Sequence, residues 1–547
     1  GAGDDGGRAV VNTGSRNDTA RGDGAGDDGG RAVVNTGSRN DGDGDRDARD
    51  PTGVFGRSVL DHPAVEVVNA EPRLFLERES ERFDLIHFAE AEGMPAGSGG
   101  LASMREDYLL TVEAVRAAMR RLTDGGMITV TRGLQTPPRD NVRLFALFAE
   151  ALRGGGGIAR DGGAAPGGGS TRGGGGAARG GTGMADGGER PEPAEHLLQA
   201  RNYLGVTTIL SSNPLGERRI AGFRASASHL SMDIDYHPGI TPADLTERNR
   251  IPGPEGSTGS YLYYAARQVL SEERRDFYED WVYDVTPPGD TRPYFHSFFK
   301  WESLDRYIQT YGNFWFQRLE LGYAVVVVTF LQVLLAALVL VLLPILVLRR
   351  RRAPEGRPAR PAVAWTVLHF SAIGLGFLFL EMLHIQRFTR FLGDPIYATA
   401  AVLTAILVFS GVGSFLQGRL SLSVGRRLRI GGLAVAGLAL LYYLGLDPVL
   451  ALAVDAGEIA RFALTLVLLL PLSFMLGWLM PAGIEAAGGE SAELVPLAWA
   501  VNGVASVAAT PLSVMIAVDW GFLGVSILAA GCYLTVVVAA RIVINPA

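Results

Sequence analysis

From residue 319 to its end the chain carries seven apolar runs: 321–348, 362–386, 396–417, 429–447, 459–480, 494–518 and 520–541. Each is near the roughly 20 residues that cross a bilayer as helix. Hydrocarbon offers backbone groups no partner, so such runs must satisfy their own hydrogen bonds, and a helix does this within one segment. The spacing therefore predicts a helical bundle of about seven spans in a multi-pass membrane protein, over 319–547. Tyr311, Phe314, Trp315 and Phe316, just before the first run, suit the interfacial belt where aromatic rings sit at the headgroups.

The remaining 318 residues have a different texture, rich in Gly, Asp, Arg and Glu. A net charge of −7 argues against a general nucleic-acid binder, which needs a basic face. The single cysteine, Cys532, rules out an intrachain disulfide and any CxxC redox or metal site. No His, Asp or Glu cluster has metal-ligand spacing, and no apolar signal-peptide core opens the chain.

Residues 1–18, GAGDDGGRAVVNTGSRND, recur letter for letter at 24–41. A short Gly/Asp-rich repeat offers little to bury, so 1–52 is expected to be disordered. GAGDDGG matches the dinucleotide-loop spacing G-x-G-x-x-G, but that motif needs a strand before it and a helix after it. Low complexity explains the match better. Residues 53–318 read as an α/β domain. Strands are expected at 65–68, 83–88 and 127–131, and helices at 108–122 and 139–153, an alternation that implies a parallel sheet. A Gly-dominated insert, 154–188, reads as a linker, and 196–200 with 206–210 as a strand pair.

These segments carry a family likeness. VEVVNAEPRLFL, RFDLIHF, GGLASMREDYLLTVEAVRAAM and LTDGGMITVTRGLQTPP lie in the α/β region. DIDYHPGI, DTRPYFHSFFKW, FLFLEMLHIQRFTRFLGDPIYA, FSGVGSFLQGRL and LVPLAWAVNGVASVAATPLSV follow in the same order. Together they resemble the spermidine-synthase-like, S-adenosylmethionine-type proteins of bacterial membranes. The likeness implies a location in the bacterial inner membrane and a cofactor that is S-adenosylmethionine or its decarboxylated form. It implies a polyamine or other small amine as acceptor. Its adenine position falls on Asn69 and Ala70; the bland alternative is a strand-end cap. Its catalytic carboxylate aligns with Ala89, leaving Glu90 and Glu92 as neighbouring substitutes, or else as members of a solvated loop. Asp107 and Tyr108 match a slot beside the cleft, or simply start a helix. The likeness begins near the third strand of the family's sheet, so the expected domain is a partial Rossmann-like methyltransferase fold lacking its first two strands and glycine loop. The functional expectation is a membrane-anchored relative of aminopropyl- and methyl-transferases. The alternative is a non-enzymatic membrane protein that binds or transports an amphiphile or amine.

Within the membrane half, Glu381, His384 and Arg387 share one helical face beside Gln386. Ionisable groups at this depth usually face a cavity, which makes them a candidate polar pocket; the plain reading is snorkelling and pairing between helices. Asn502, among Gly503, Ala505 and Ser506, reads as close helix packing. Arg349 to Arg352, Arg357 and Arg360 follow the first run, and Arg419, Arg426, Arg427 and Arg429 follow the third. The positive-inside rule puts both loops in the cytoplasm, and an odd number of spans then sets the soluble region on the opposite side.

Overall fold

A computed structural model describes residues 9–13, 32–35, 65–89 except 69, 104–154, 191–315 except 247, 255 and 258, 321–337, 339 and 359–544. Among the described residues eight strands form one sheet: β1 (Ala9–Thr13), β2 (Ala32–Asn35), β3 (Val65–Val68), β4 (Phe83–Ala89), β5 (Leu122–Gly133), β6 (Leu197–Arg201), β7 (Gly205–Ser211) and β8 (Asp233–Tyr236). Their spatial order is β3-β2-β1-β4-β5-β7-β6-β8. The five strands from β3 to β5 pair in parallel, and β7 then runs antiparallel to both β5 and β6.

The two perfect repeats correct the expectation for 1–52. Each contributes its Ala-Val-Val-Asn segment as a strand, in register as Ala9↔Ala32 through Asn12↔Asn35. Ala9 to Thr13 pair in turn with Leu85 to Ala89 of β4. The two strands expected to be missing are therefore present, in the middle of the sheet. Four or five β-prone residues flanked by Gly and Asp carry no usable periodicity alone; partner strands on both sides satisfy their backbone groups and make them strands.

Short helices cover the sheet: α1 (Pro72–Arg78), α2 (Val112–Arg120), α3 (Asp140–Gly154), α4 (Glu217–His229), α5 (Tyr261–Leu270), α6 (Arg274–Asp280) and α7 (Leu304–Tyr311). Thr111 caps α2, its hydroxyl accepting from the Ala114 amide at 3.2 Å. Ile86 and Phe88 of β4 alternate inward and, with Phe83 beyond a register shift, meet Ile128 and Val130 of β5, Val115 and Met119 of α2, and Phe145 and Phe148 of α3 in one core. The sequence reads Thr123-Asp124-Gly125-Gly126 as a turn. It lies instead within β5 as an irregular stretch, with Gly125 at φ +81° and a register shift opposite Phe83 to Leu85.

The C-terminal part is helical: α8 (Leu321–Ala337), α9 (Arg360–Leu392), α10 (Pro395–Gln417), α11 (Val424–Leu452), α12 (Glu458–Glu490) and α13 (Leu494–Ile544). Among the described residues, five of these, α9 to α13, are long and apolar enough to cross a membrane, and the described part of α8 is shorter. At 51 residues α13 would extend about 75 Å if straight, more than twice the bilayer core. It breaks at Gly521 (φ 67°, ψ −173°), so the expected runs 494–518 and 520–541 fall on either side of a bend. Tight glycine contacts hold α10 to α12. A methyl group on Gly413 would overlap the Phe474 carbonyl, and one on Gly477 the Ser410 carbonyl. Asn502 and Ala505 of α13 likewise lie against Gly374 of α9.

One end of the bundle abuts the α/β domain. There Arg390 pairs with Asp290 at 2.6 Å, and the Phe522 amide donates to the Thr291 carbonyl at 2.9 Å. Arg292 donates to the Val518 carbonyl at 2.6 Å. At the far end Arg427 bonds Gln417 at 2.6 Å and Glu485 at 2.7 Å.

Candidate functional site at the domain–bundle junction

Open parallel sheets bind ligands outside the carboxyl ends of their strands, where the winding direction reverses. Here β1 runs on to β2 and β3 on one side, while β4 and β5 lie on the other, so that point falls between Thr13 and Ala89. Downstream of β4, three consecutive polar residues, Glu106, Asp107 and Tyr108, lie against the loop 290–296 and the end of α9.

Asp107 is fixed locally and at long range. One carboxylate oxygen accepts from the amides of Leu109 and Leu110 at 3.0 and 3.2 Å; the other lies 3.4 Å from His296 Nε2. Arg132, the penultimate residue of β5, points Nη2 at His296 Nδ1 at 3.3 Å and at Asp140 at 3.5 Å. An arginine only donates, so Nδ1 accepts and the imidazole proton lies on Nε2, facing Asp107. Burial alone would raise the Asp107 carboxyl, but His296 and the two amides hold it below the usual carboxylate range.

Glu106 is in the opposite state. Some of its surface remains accessible, yet protein encloses its carboxyl, and this burial pushes it up to about 7 against hydrogen bonds from Gln386, Tyr294 and Tyr108. The Tyr294 hydroxyl lies 3.5 Å from its Oε1 and receives a bond from Gln386 Nε2 at 3.3 Å. One residue of α9 and two of the α/β domain therefore surround a carboxyl that holds or releases its proton near neutrality.

Arg143 anchors the loop carrying Tyr294 and His296. Its guanidinium donates to the carbonyls of Tyr294, Phe295 and Ser297 at 3.1, 2.6 and 2.7 Å, and pairs with Asp284 at 3.2 Å. Burial acts upward on Asp284, but Arg143 and Arg292 hold it down at about 2.

The sequence candidates scatter. Tyr108 lies in the site: its hydroxyl donates to the Gln386 carbonyl at 3.3 Å, and it lines a small cavity with Asp290, Arg387, Arg390, Asp447 and Phe522. Arg387 lines that cavity too, but Glu381, His384 and Arg387 do not close into one cluster. Arg387 turns to Asp447 at 2.7 Å and to the Tyr442 carbonyl at 2.9 Å, carried by α11. His384 bonds the Leu380 carbonyl of its own helix at 2.6 Å, and Glu381 is half-buried. Ala70 is half-buried just beyond β3. Asn69, Glu90 and Glu92 lie outside the described residues. Sequence reading passed over Glu106, His296 and Arg132. The run Arg105-Glu106-Asp107-Tyr108 displays its carboxylates, but their partners are far away in the chain.

Comparison with known proteins gives no match to a family model, a curated protein or a solved structure.

Proposed function

We propose that the chain is a membrane-anchored transferase of the spermidine-synthase-like kind, in the bacterial inner membrane. It would use S-adenosylmethionine or its decarboxylated form and pass a group to a small amine. The observation that carries this reading is the order β3-β2-β1-β4-β5 in parallel, with its reversal between β1 and β4, the arrangement that seats a nucleoside in Rossmann-type sheets. In sequence, Gly14 follows directly on β1, where such a sheet carries its close-approach glycine.

The donor set near these strand ends suits cations. Asp107 is an anion aligned by His296, and the Glu106 carboxyl lies among Tyr108, Tyr294 and Gln386. Ala70, with Asn69 before it, would flank the adenine, as the family likeness implies. Bound there, the cofactor would supply an electrophilic carbon beside a sulfonium. This chain's own task is to deliver the amine unprotonated, and a carboxyl tuned near neutrality is suited to take that proton. Tyr108 would orient the acceptor.

A second reading, a bundle that binds an amphiphile without chemistry, is favoured by one observation. The arginines between α10 and α11 lie at the end of the bundle away from the α/β domain, which by the positive-inside rule sets that domain outside the cytoplasm. Equilibrium binding of radiolabelled S-adenosylmethionine and its decarboxylated form to detergent-purified protein separates the two. The transferase reading expects saturable binding of one of them, retained in Glu106→Gln while transfer to an amine is lost. No binding of either to a folded, monodisperse preparation retires it in favour of the amphiphile.

A further inference from the structure

A second cleft lies on the domain side of the bundle, sharing Arg390 with the small cavity beside Tyr108. It opens between α1 and the end of α2 on one wall and the ends of α9 and α11 on the other, a cavity of about 240 Å³ that is open to the outside. Its membrane wall is apolar: Phe391, Leu450 and Val454, with Leu76 facing them from α1. Its rim is cationic, with Arg120, Arg121 and Arg390 against a single carboxylate, Glu77.

The distribution of counter-ions decides what the rim wants. Glu77 is held by Arg73 at 2.8 Å. Arg390 is satisfied by Asp290 and Asp447 on its other side. Arg121 donates to the carbonyls of Leu76 and Glu77 at 3.1 and 3.0 Å, neutral partners that leave its charge uncompensated. Arg120 is exposed and has no hydrogen-bond or ion-pair partner among the described residues. Partial burial and the neighbouring guanidiniums of Arg73 and Arg121 act against its charge. Crowded like charges over an apolar floor are stabilised by an anion with an apolar body.

The cleft also lies at the bilayer surface. Leu452 and Ile459, chain neighbours of its floor, are 89% and 88% exposed, large apolar side chains that belong against lipid. We propose that this cleft seats an anionic phospholipid of the surrounding leaflet, its phosphate at Arg120 and Arg121 and its acyl chains along Phe391, Leu450 and Val454. The inference is independent of the transferase reading, since a cationic rim repels an amine.

The test uses the full chain in neutral detergent with fluorescent-tailed phosphatidylglycerol and phosphatidylcholine probes. Phosphatidylglycerol is expected to bind about fivefold more tightly for each arginine that meets its headgroup, since a basic residue beside anionic lipid is worth about 1 kcal/mol. Arg120→Glu should abolish the preference, Arg120→Gln should reduce it, and Arg120→Lys should keep most of it. Arg224→Glu, an exposed change on α4, should leave it intact, and millimolar inorganic phosphate at constant ionic strength should not displace the lipid. Equal binding of the two lipids, a preference that survives Arg120→Glu in a monodisperse preparation, or displacement by free phosphate each overturns the proposal.

Discussion

At the scale of single residues, the Glu106 carboxyl carries the sharpest consequence. Its pKa in the fold is about 7 because of burial, against an ordinary value of 4.5. A raised acid binds its proton more tightly in the folded state, so its contribution to stability is complete below about 4.5 and is lost as pH rises through about 7. After discounting for its partial exposure, the loss is about 2–3 kcal/mol. Glu106→Gln mimics the protonated form, keeping an acceptor for Tyr294 and removing the titration. The variant should melt with the native protein at pH 5 and above it at pH 8.5, and equal melting at both pH values would place Glu106 in water. How far such a residue can be read from sequence depends on where its partners come from. Asp107 bonding the amides two and three positions on is a local pattern that the residue order announces. Glu106 receives its environment from Gln386, 280 positions away, and no local pattern encodes that.

At the scale of elements, the apolar helices were legible because hydrocarbon imposes one length and one composition on anything that crosses it. The repeat strands were not, because Ala-Val-Val-Asn becomes β1 or β2 only when β4 and β3 offer edges on either side. The contact between α10 and α12 is intermediate. Gly413 and Gly477 are visible in the sequence as small residues, but only the structure shows that each meets a carbonyl of the other helix. A methyl at either position must push the backbones apart, so Gly413→Ala and Gly477→Ala should each lower stability by about 1–3 kcal/mol. Gly411, one turn-face away on α10, has nothing within 4 Å of an added Cβ. Gly411→Ala should therefore be neutral or stabilising by about 0.5–1 kcal/mol, through helix propensity alone. Thermal unfolding in detergent, with the three variants side by side, reads the difference; losses of the same size in all three would mean that the helices do not approach this closely.

For the whole molecule the open quantity is which side of the membrane holds the α/β domain, and the chain's own charges give a direction. α9 runs from Arg360 to the domain-side pair Arg390–Asp290, and α10 then leads away again to Gln417, bonded to Arg427. The far end thus gathers Arg360, Arg419, Arg426, Arg427 and Arg429, while the short turns at the domain end, 393–394 and 519–521, contain aspartates and no arginine. The arginines at that end, Arg387, Arg390 and Arg461, are committed to Asp447, Asp290 and the Phe391 carbonyl instead of being free to anchor a loop. Lys and Arg in short loops are retained in the cytoplasm, so the far end should be cytoplasmic and the α/β domain extracytoplasmic. Replacing Cys532 by alanine removes the native thiol, after which single cysteines at Leu204, 79% exposed at the β6–β7 turn, and at exposed Ser421 report the two faces. An impermeant maleimide applied to intact cells, after permeabilisation of any outer membrane, should label Leu204→Cys, and should reach Ser421→Cys only once the inner membrane is opened. The reverse pattern would mean that the arginine bias is overridden and that the domain faces the cytoplasm, where S-adenosylmethionine is made and where the sheet's switch point would have it at hand. The expected pattern sets the Glu106 carboxyl on the outer face, between a domain and a bundle joined by the half-buried Arg390–Asp290 pair. There S-adenosylmethionine is out of reach, so that pattern would favour an amphiphile delivered by the bilayer over the transferase.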